Sequence, residues 1–159
     1  MTMAIKPCFL KISVFLCMIF SSQVSFSQNQ KKVDSLFFIL KSPKNDSVKV
    51  KAYSSLSKSF RDYNIDTALY FANKGLKLAE GIHFKYGIAI TSNDIAWLYY
   101  DKSDNIAAMS YFRKALYLLN KNGAKAEIID CYEGIGNLYN VLGNKDSALM
   151  YNNIALSIC

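Results

Sequence analysis

The chain has 159 residues, 52% of them hydrophobic and 19% charged, with only 2 prolines and 7 glycines. That apolar content fills one ordinary core, and so few turn formers argue against a disordered or an all-β, turn-rich chain. The net charge of +7 is scattered singly among aromatic and aliphatic residues. With no arginine cluster and no basic run longer than Lys31-Lys32, nucleic-acid binding is discounted.

Residues 1–27 read as a secretory signal peptide. Lys6 and Lys11 precede or edge an apolar run, Phe9-Leu10 then Ile12 to Phe20, which ends at Ser21-Ser22. Ser25 and Ser27 flank Phe26 as a small-x-small cleavage site. The run is shorter than the roughly 20 residues that a spanning helix needs. The alternative is an uncleaved N-terminal segment that anchors the chain to a membrane. Cys17 lies inside the run behind bulky Phe15 and Leu16, which does not fit a lipoprotein signal. Cleavage removes Lys6 and Lys11, so 19 basic residues become 17 against 12 acidic ones, a net charge of +5. The expected location is therefore exported and periplasmic. Of the remaining cysteines, Cys131 is expected as a buried small thiol and Cys159 as a terminal residue, with a disulfide as the alternative.

Residues 28–47 form a lead-in, expected to be partly helical. Beyond it a repeat of 40 residues runs without insertion over 48–159. It aligns Ala68, Ala108 and Ala148, then Leu69, Met109 and Leu149, then Phe71, Tyr111 and Tyr151. Gly75, Ala115 and Ala155 follow, then Leu76, Leu116 and Leu156. Upstream, Asn64 pairs with Asp104 and Asn144, and Leu56 with Ala96 and Gly136; Tyr99 and Tyr139 match, with Ser59 as the odd member. Self-similarity at one fixed offset is the signature of a stacked repeat.

Each unit reads as two helices, in units near 48–81, 86–121 and 126–159. In the second unit, Ile88, Ile90, Ile95, Ala96, Leu98 and Tyr99 give an apolar face at helical spacing. Asp101-Lys102-Ser103-Asp104 breaks it, and Ile106 to Leu119 forms a second amphipathic run. The corresponding turns are Asp62-Tyr63-Asn64-Ile65-Asp66 and Gly143-Asn144-Lys145-Asp146, with Asp66 and Asp146 expected as helix caps and Gly143 as a left-handed helix end. Gly81 and Gly123 punctuate the joins between units. Small residues at Ala68, Ala108, Ala148, Ala115, Ala155 and Gly136 are expected where antiparallel helices approach closely.

These residues carry a resemblance to the tetratricopeptide repeat (TPR) family. The run from Asp104 through Ala108, Tyr111 and Ala115 to Leu116 is similar to its turn and second helix, and Asn137 to Tyr151 to the end of a first helix, the turn and the next start. Tyr63 stands where the family has a turn glycine, and Ser59 where it has an aromatic. The period exceeds the commonest 34, and no proline follows the second helix. This longer form resembles TPR arrays of bacterial signalling proteins, in particular the periplasmic repeat regions of sensors. The resemblance implies an all-α, right-handed α-solenoid of antiparallel helix pairs, about three units long, that binds protein or peptide. Because the sequence stops inside the second helix of unit three without a polar capping helix, a fragment or a short stand-alone member is expected, with self-association through that end or fraying there.

Carried over residue by residue, the family's groove positions are Val50, Tyr53, Ser57, Phe60 and Arg61 in unit one. Unit two gives Ile90, Asn93, Trp97, Tyr100 and Asp101, and unit three gives Asp130, Glu133, Asn137 and Asn140. Rings supply contact area and amides bond a peptide backbone. Trp97 is placed in the groove, with packing between helices as the alternative. The carboxylate clamp of chaperone-binding members is not expected, because Ser57, Asp94, Asp130 and Gly134 occupy its positions and only Tyr53 loosely fits. No catalytic or metal set is expected, and no cofactor or small-molecule substrate. His83 is the one histidine and lies near a join, as a surface or capping residue. Gly134-Ile135-Gly136 lacks both the third glycine and the preceding strand of a dinucleotide loop. The expected role is an exported sensory or scaffolding repeat region of a signalling protein. The alternative is a stand-alone periplasmic assembly or chaperone-like factor for secreted or outer-membrane clients.

Overall fold

A computed structural model describes residues 30–43, 45–119 and 124–158. The expected signal peptide, Gly123 and Cys159 lie outside the described residues. Helix α1 covers residues 30–41. It is followed by α2 (Asp46–Phe60), α3 (Ile65–Gly81), α4 (Lys85–Asp101), α5 (Asn105–Leu119), α6 (Lys125–Val141) and α7 (Lys145–Ile158). From Leu36 onward the chain forms one compact unit, and the described residues 30–35 fall outside it. No described helix is long and apolar enough to cross a membrane.

Side-chain caps start the second helices. The Thr67, Ala107 and Ser147 amides donate to the Oδ1 atoms of Asn64, Asp104 and Asn144 at 2.9–3.0 Å. The caps therefore fall two residues before the expected Asp66 and Asp146, which sit in the first turn and complement the helix dipole instead. The ends of α4 and α6 close in the same way: the amides of Asp104 and Asn144 reach back to the carbonyls of Tyr99 and Tyr139, over left-handed Ser103 (φ 60°) and Gly143 (φ 78°). Unit one differs. There Asn64 bonds the Phe60 carbonyl and Tyr63 stays out of the left-handed region, so the missing glycine changes the turn.

The join after α3 also departs from expectation. Its left-handed residue is His83 (φ 52°), and the Phe84 amide closes the turn on the Ala79 carbonyl. Gly81 is simply the last helical residue, with open space where a Cβ would stand. Gly81→Ala is thus expected to stabilise the chain by about 0.5–1 kcal/mol, while Gly143→Ala destabilises it by a similar amount. Opposite shifts in thermal midpoint check this pair, and shifts of the same sign would contradict it.

Consecutive helices pair as antiparallel hairpins, α2 with α3, α4 with α5 and α6 with α7, and each second helix also packs on the next first helix. The apolar clusters follow that connectivity. Ala68, Ala72 and Leu76 of α3 meet Ile95 and Leu98 of α4. Ala108 and Phe112 of α5 meet Ile135 and Leu138 of α6, and Ala115 and Leu119 meet Ile128 and Cys131. The small residues Ala68, Ala108, Ala115, Ala148, Ala155 and Gly136 are all buried at these approaches. Added carbon would not fit: a Cβ on Gly136 would lie 2.3 Å from Asn152 Oδ1.

The backbones of the first helices lie close together, α2 beside α4 and α4 beside α6, whereas those of α3, α5 and α7 stand farther apart, with Lys114 of α5 reaching Glu80 of α3 at 3.2 Å. A stack closer on one layer than the other curves, with the first helices on its inner side. The array is an all-α solenoid of helix pairs. Helix α4 has neighbours on α2, α3, α5 and α6, so burial extends beyond the apolar face predicted for it to Thr91, Ser92, Asn93 and Asp94. At the far end, Leu149 and Leu156 of α7 are 62% and 70% exposed, where their repeat equivalents Met109 and Leu116 pack in the core.

Candidate functional site

Polar side chains connect the first helices across units. The Ser54 hydroxyl donates to Asp94 Oδ2 at 2.5 Å, and Arg61 grips Asp101 with Nε at 2.5 Å and Nη2 at 2.8 Å. Both pairs join equivalent positions of neighbouring units, 40 residues apart. Asn93 Nδ2 donates to Asp130, the Cys131 thiol donates to Asn93 Oδ1, and the Tyr86 hydroxyl donates to Glu127. That hydrogen bond to a carboxylate pushes the Tyr86 pKa up to about 12. Burial does the same for Cys131, which leaves it an inert thiol.

Between these contacts the inner face opens into a cleft of about 360 Å³. Ser57, Lys58, Arg61 and Asp62 form one wall, Asp94, Trp97 and Leu98 the floor, and Asp130 the far side. Trp97 is half-buried. Its ring meets Tyr100 and Phe112 edge-on at 5.6 and 5.3 Å, and the Arg61 guanidinium lies 5.0 Å from its centre. The two placements considered for Trp97 therefore coincide: it packs between helices and lines the cleft. Phe112 can reach it because residue 134 is glycine, whose added Cβ would stand 2.2 Å from the Phe112 ring.

Asp94 is the most perturbed acid of the cleft. Burial pushes its pKa up to about 6, against the opposing pull of Lys58 and Ser54, and Asp130 adds to the rise. Lys58 Nζ lies 3.4 Å from Asp94 Oδ1, an ion pair that falls short of hydrogen-bond geometry, so Oδ1 accepts no hydrogen bond.

Of the predicted groove residues, Ser57, Arg61, Trp97 and Asp130 come together in the cleft. Tyr53 and Phe60 do not. They turn toward α3 and stack on Phe71 at 6.5 and 5.5 Å, and Tyr53 lines a separate depression with Lys74, Lys77 and Ile82. Successive helix residues are rotated by about 100°, so the stripe Ser54-Ser57-Lys58-Arg61 faces inward and Tyr53-Phe60 faces the hairpin. Of the α2 residues carried over, Ser57 and Arg61 lie on the inner stripe and Tyr53 and Phe60 do not. Val50 and Ile90 are buried, and Asn93 spends its amide on Asp130 and Cys131 rather than on a ligand. Tyr100 buttresses Trp97. Glu133, Asn137 and Asn140 are exposed on α6 outside the cleft. Lys58 and Asp62 were missed; Lys58 lies on the helical stripe that carries Ser54 and Ser57, and Asp62 lies in the turn after α2.

No protein-family model matches the chain, and no curated protein matches it. Among solved structures, the crystal structure of BtubC (BKLC) from P. vanneervenii aligns with a TM-score of 0.70 at 20% sequence identity. This chain shares its fold with BtubC. The match covers 87% of this chain and 57% of BtubC, so the chain spans little more than half of that protein's length. At that identity the likeness extends to the helical stack and no further.

Proposed function

We propose that the chain is a TPR-type interaction module whose inner face holds a segment of another polypeptide. The observation that carries this is the cleft itself: a hollow between three first helices, floored by a half-buried tryptophan and walled by charged side chains. Tryptophan and arginine in desolvated pockets dominate binding energy in protein interfaces. The region is read as exported to the periplasm, as the sensory or scaffolding part of a signalling protein. An assembly or chaperone-like factor for secreted or outer-membrane clients is the alternative use of the same groove. No catalysis, cofactor or small-molecule substrate enters this reading.

Peptides selected from a random display library on the purified chain, then labelled and titrated by fluorescence anisotropy, test the groove. Trp97→Ala is expected to weaken the selected peptides by at least about 30-fold, the size of an interface hot spot. Peptides that bind the variant as tightly as the parent would sink the reading.

A further inference from the structure

We propose that the cleft is a receptor for one basic side chain, holding the guanidinium of a partner's arginine between the carboxylates of Asp94 and Asp130 beside Trp97. This rests on the reading of the inner face as a polypeptide groove and adds which residue the groove selects.

The chain as a whole is basic, but the cleft is not. Its lining has Lys58 and Arg61 against Asp62, Asp94 and Asp130, two positive charges against three negative. Arg61 is already committed, bidentate to Asp101. That leaves Asp94 with an incomplete environment. It is only 4% exposed, one oxygen takes the Ser54 hydroxyl, and the other accepts no hydrogen bond. A buried carboxylate with an empty acceptor is costly unless a cation with donors completes it.

Lys58 completes it poorly. Its side chain is 61% exposed and its ammonium stays 3.4 Å from Oδ1. It stands at the rim as a mobile, strongly hydrated point charge that an incoming cation can displace. A guanidinium fits better than an ammonium for two reasons. It presents planar, fixed donors that can serve two carboxylates together, and it stacks on aromatic rings. The groups facing Asp94 are Lys58 and Ser54 from α2 and Asp130 from α6. With its pKa pushed up to about 6 by burial, Asp94 gains full charge only above that pH, and arginine binding should tighten from pH 5 to pH 7.

The test uses the same library-selected peptides on the purified chain. An arginine at one fixed position is expected among them. Replacing it by citrulline, which keeps the shape and removes the charge, should lose at least about 30-fold in affinity. Asp94→Asn should lose affinity for the arginine peptide and shrink the penalty of the citrulline exchange, Asp130 alone remaining to hold the charge. Lys58→Ala, which removes the competing ammonium from a side chain that is 61% exposed, should act in the opposite direction and tighten the arginine peptide several-fold. Selected peptides without a shared basic residue, or a Lys58→Ala variant that binds no tighter, would overturn the arginine site while leaving the groove standing. Failure to select any peptide sensitive to Trp97→Ala would remove the groove and the arginine site with it.

Discussion

Replacing Phe112 by alanine is expected to remove about 3–5 kcal/mol of stability, a large part of the 5–15 kcal/mol typical of a folded domain. The ring is fully buried, joins α5 to Ile135 and Leu138 of α6, and supports Trp97 from below. It sits where it does because α6 offers no side chain at Gly134. Gly134→Ala is accordingly expected to cost about 1–3 kcal/mol by overpacking, since its Cβ would lie 2.2 Å from the ring. The two changes should not add. In the Phe112→Ala/Gly134→Ala double variant, the smaller side chain makes room for the new methyl group, and the coupling is expected to be at least about 1 kcal/mol in the favourable direction. Urea unfolding followed by far-ultraviolet circular dichroism checks all four proteins, and strict additivity would show that ring and glycine do not share the space.

Stability should also fall as pH rises from about 4 to 6. The folded pKa of Asp94, pushed up to about 6, lies above its reference of 3.8. Between those values the folded chain binds the proton that the unfolded chain releases, so unfolding becomes easier with each step upward in pH. The full effect of this one group is about 3 kcal/mol, complete once pH passes the folded value. Protonation relieves burial of the charge, which outweighs the attraction to Lys58. Asp94→Asn is expected to flatten the profile across this window and to be at least as stable as the parent at pH 7. Urea midpoints at pH 4.5, 5.5, 6.5 and 7.5 decide the matter, and an unchanged slope in the variant would acquit Asp94.

The helix pairs and their contacts were legible because the repeat reports packing directly. Ala68, Ala108 and Ala148 recur at 40-residue spacing since each lies at the same helix approach, and no other physical cause keeps small residues in that register. The cleft was harder to read. Thr91 to Asp94 look like a solvated stretch by periodicity, yet Thr91 bonds the Gly87 carbonyl, Asn93 reaches α6 and Asp94 reaches α2. The partners of Asn93 and Asp94 lie about a repeat away, where local pattern carries no signal. On α2, a rotation of one residue separated the inner stripe from the aromatic pair, so Tyr53 and Phe60 belonged to Phe71 rather than to a ligand. Trp97 and Arg61 could be found from sequence, but their stacking could not, since it depends on Asp101 holding the guanidinium in place.

The contacts between equivalent positions also limit how such an array can be assembled. Ser54 faces Asp94, and Arg61 faces Asp101, each at the same place in successive units. A tandem copy of unit two would set carboxylate against carboxylate at both places, one of them out of reach of water. Identical modules are therefore incompatible with this interface. Neighbours must diverge where they meet, and that divergence fixes the order of the units, so that unit one cannot be exchanged for unit two.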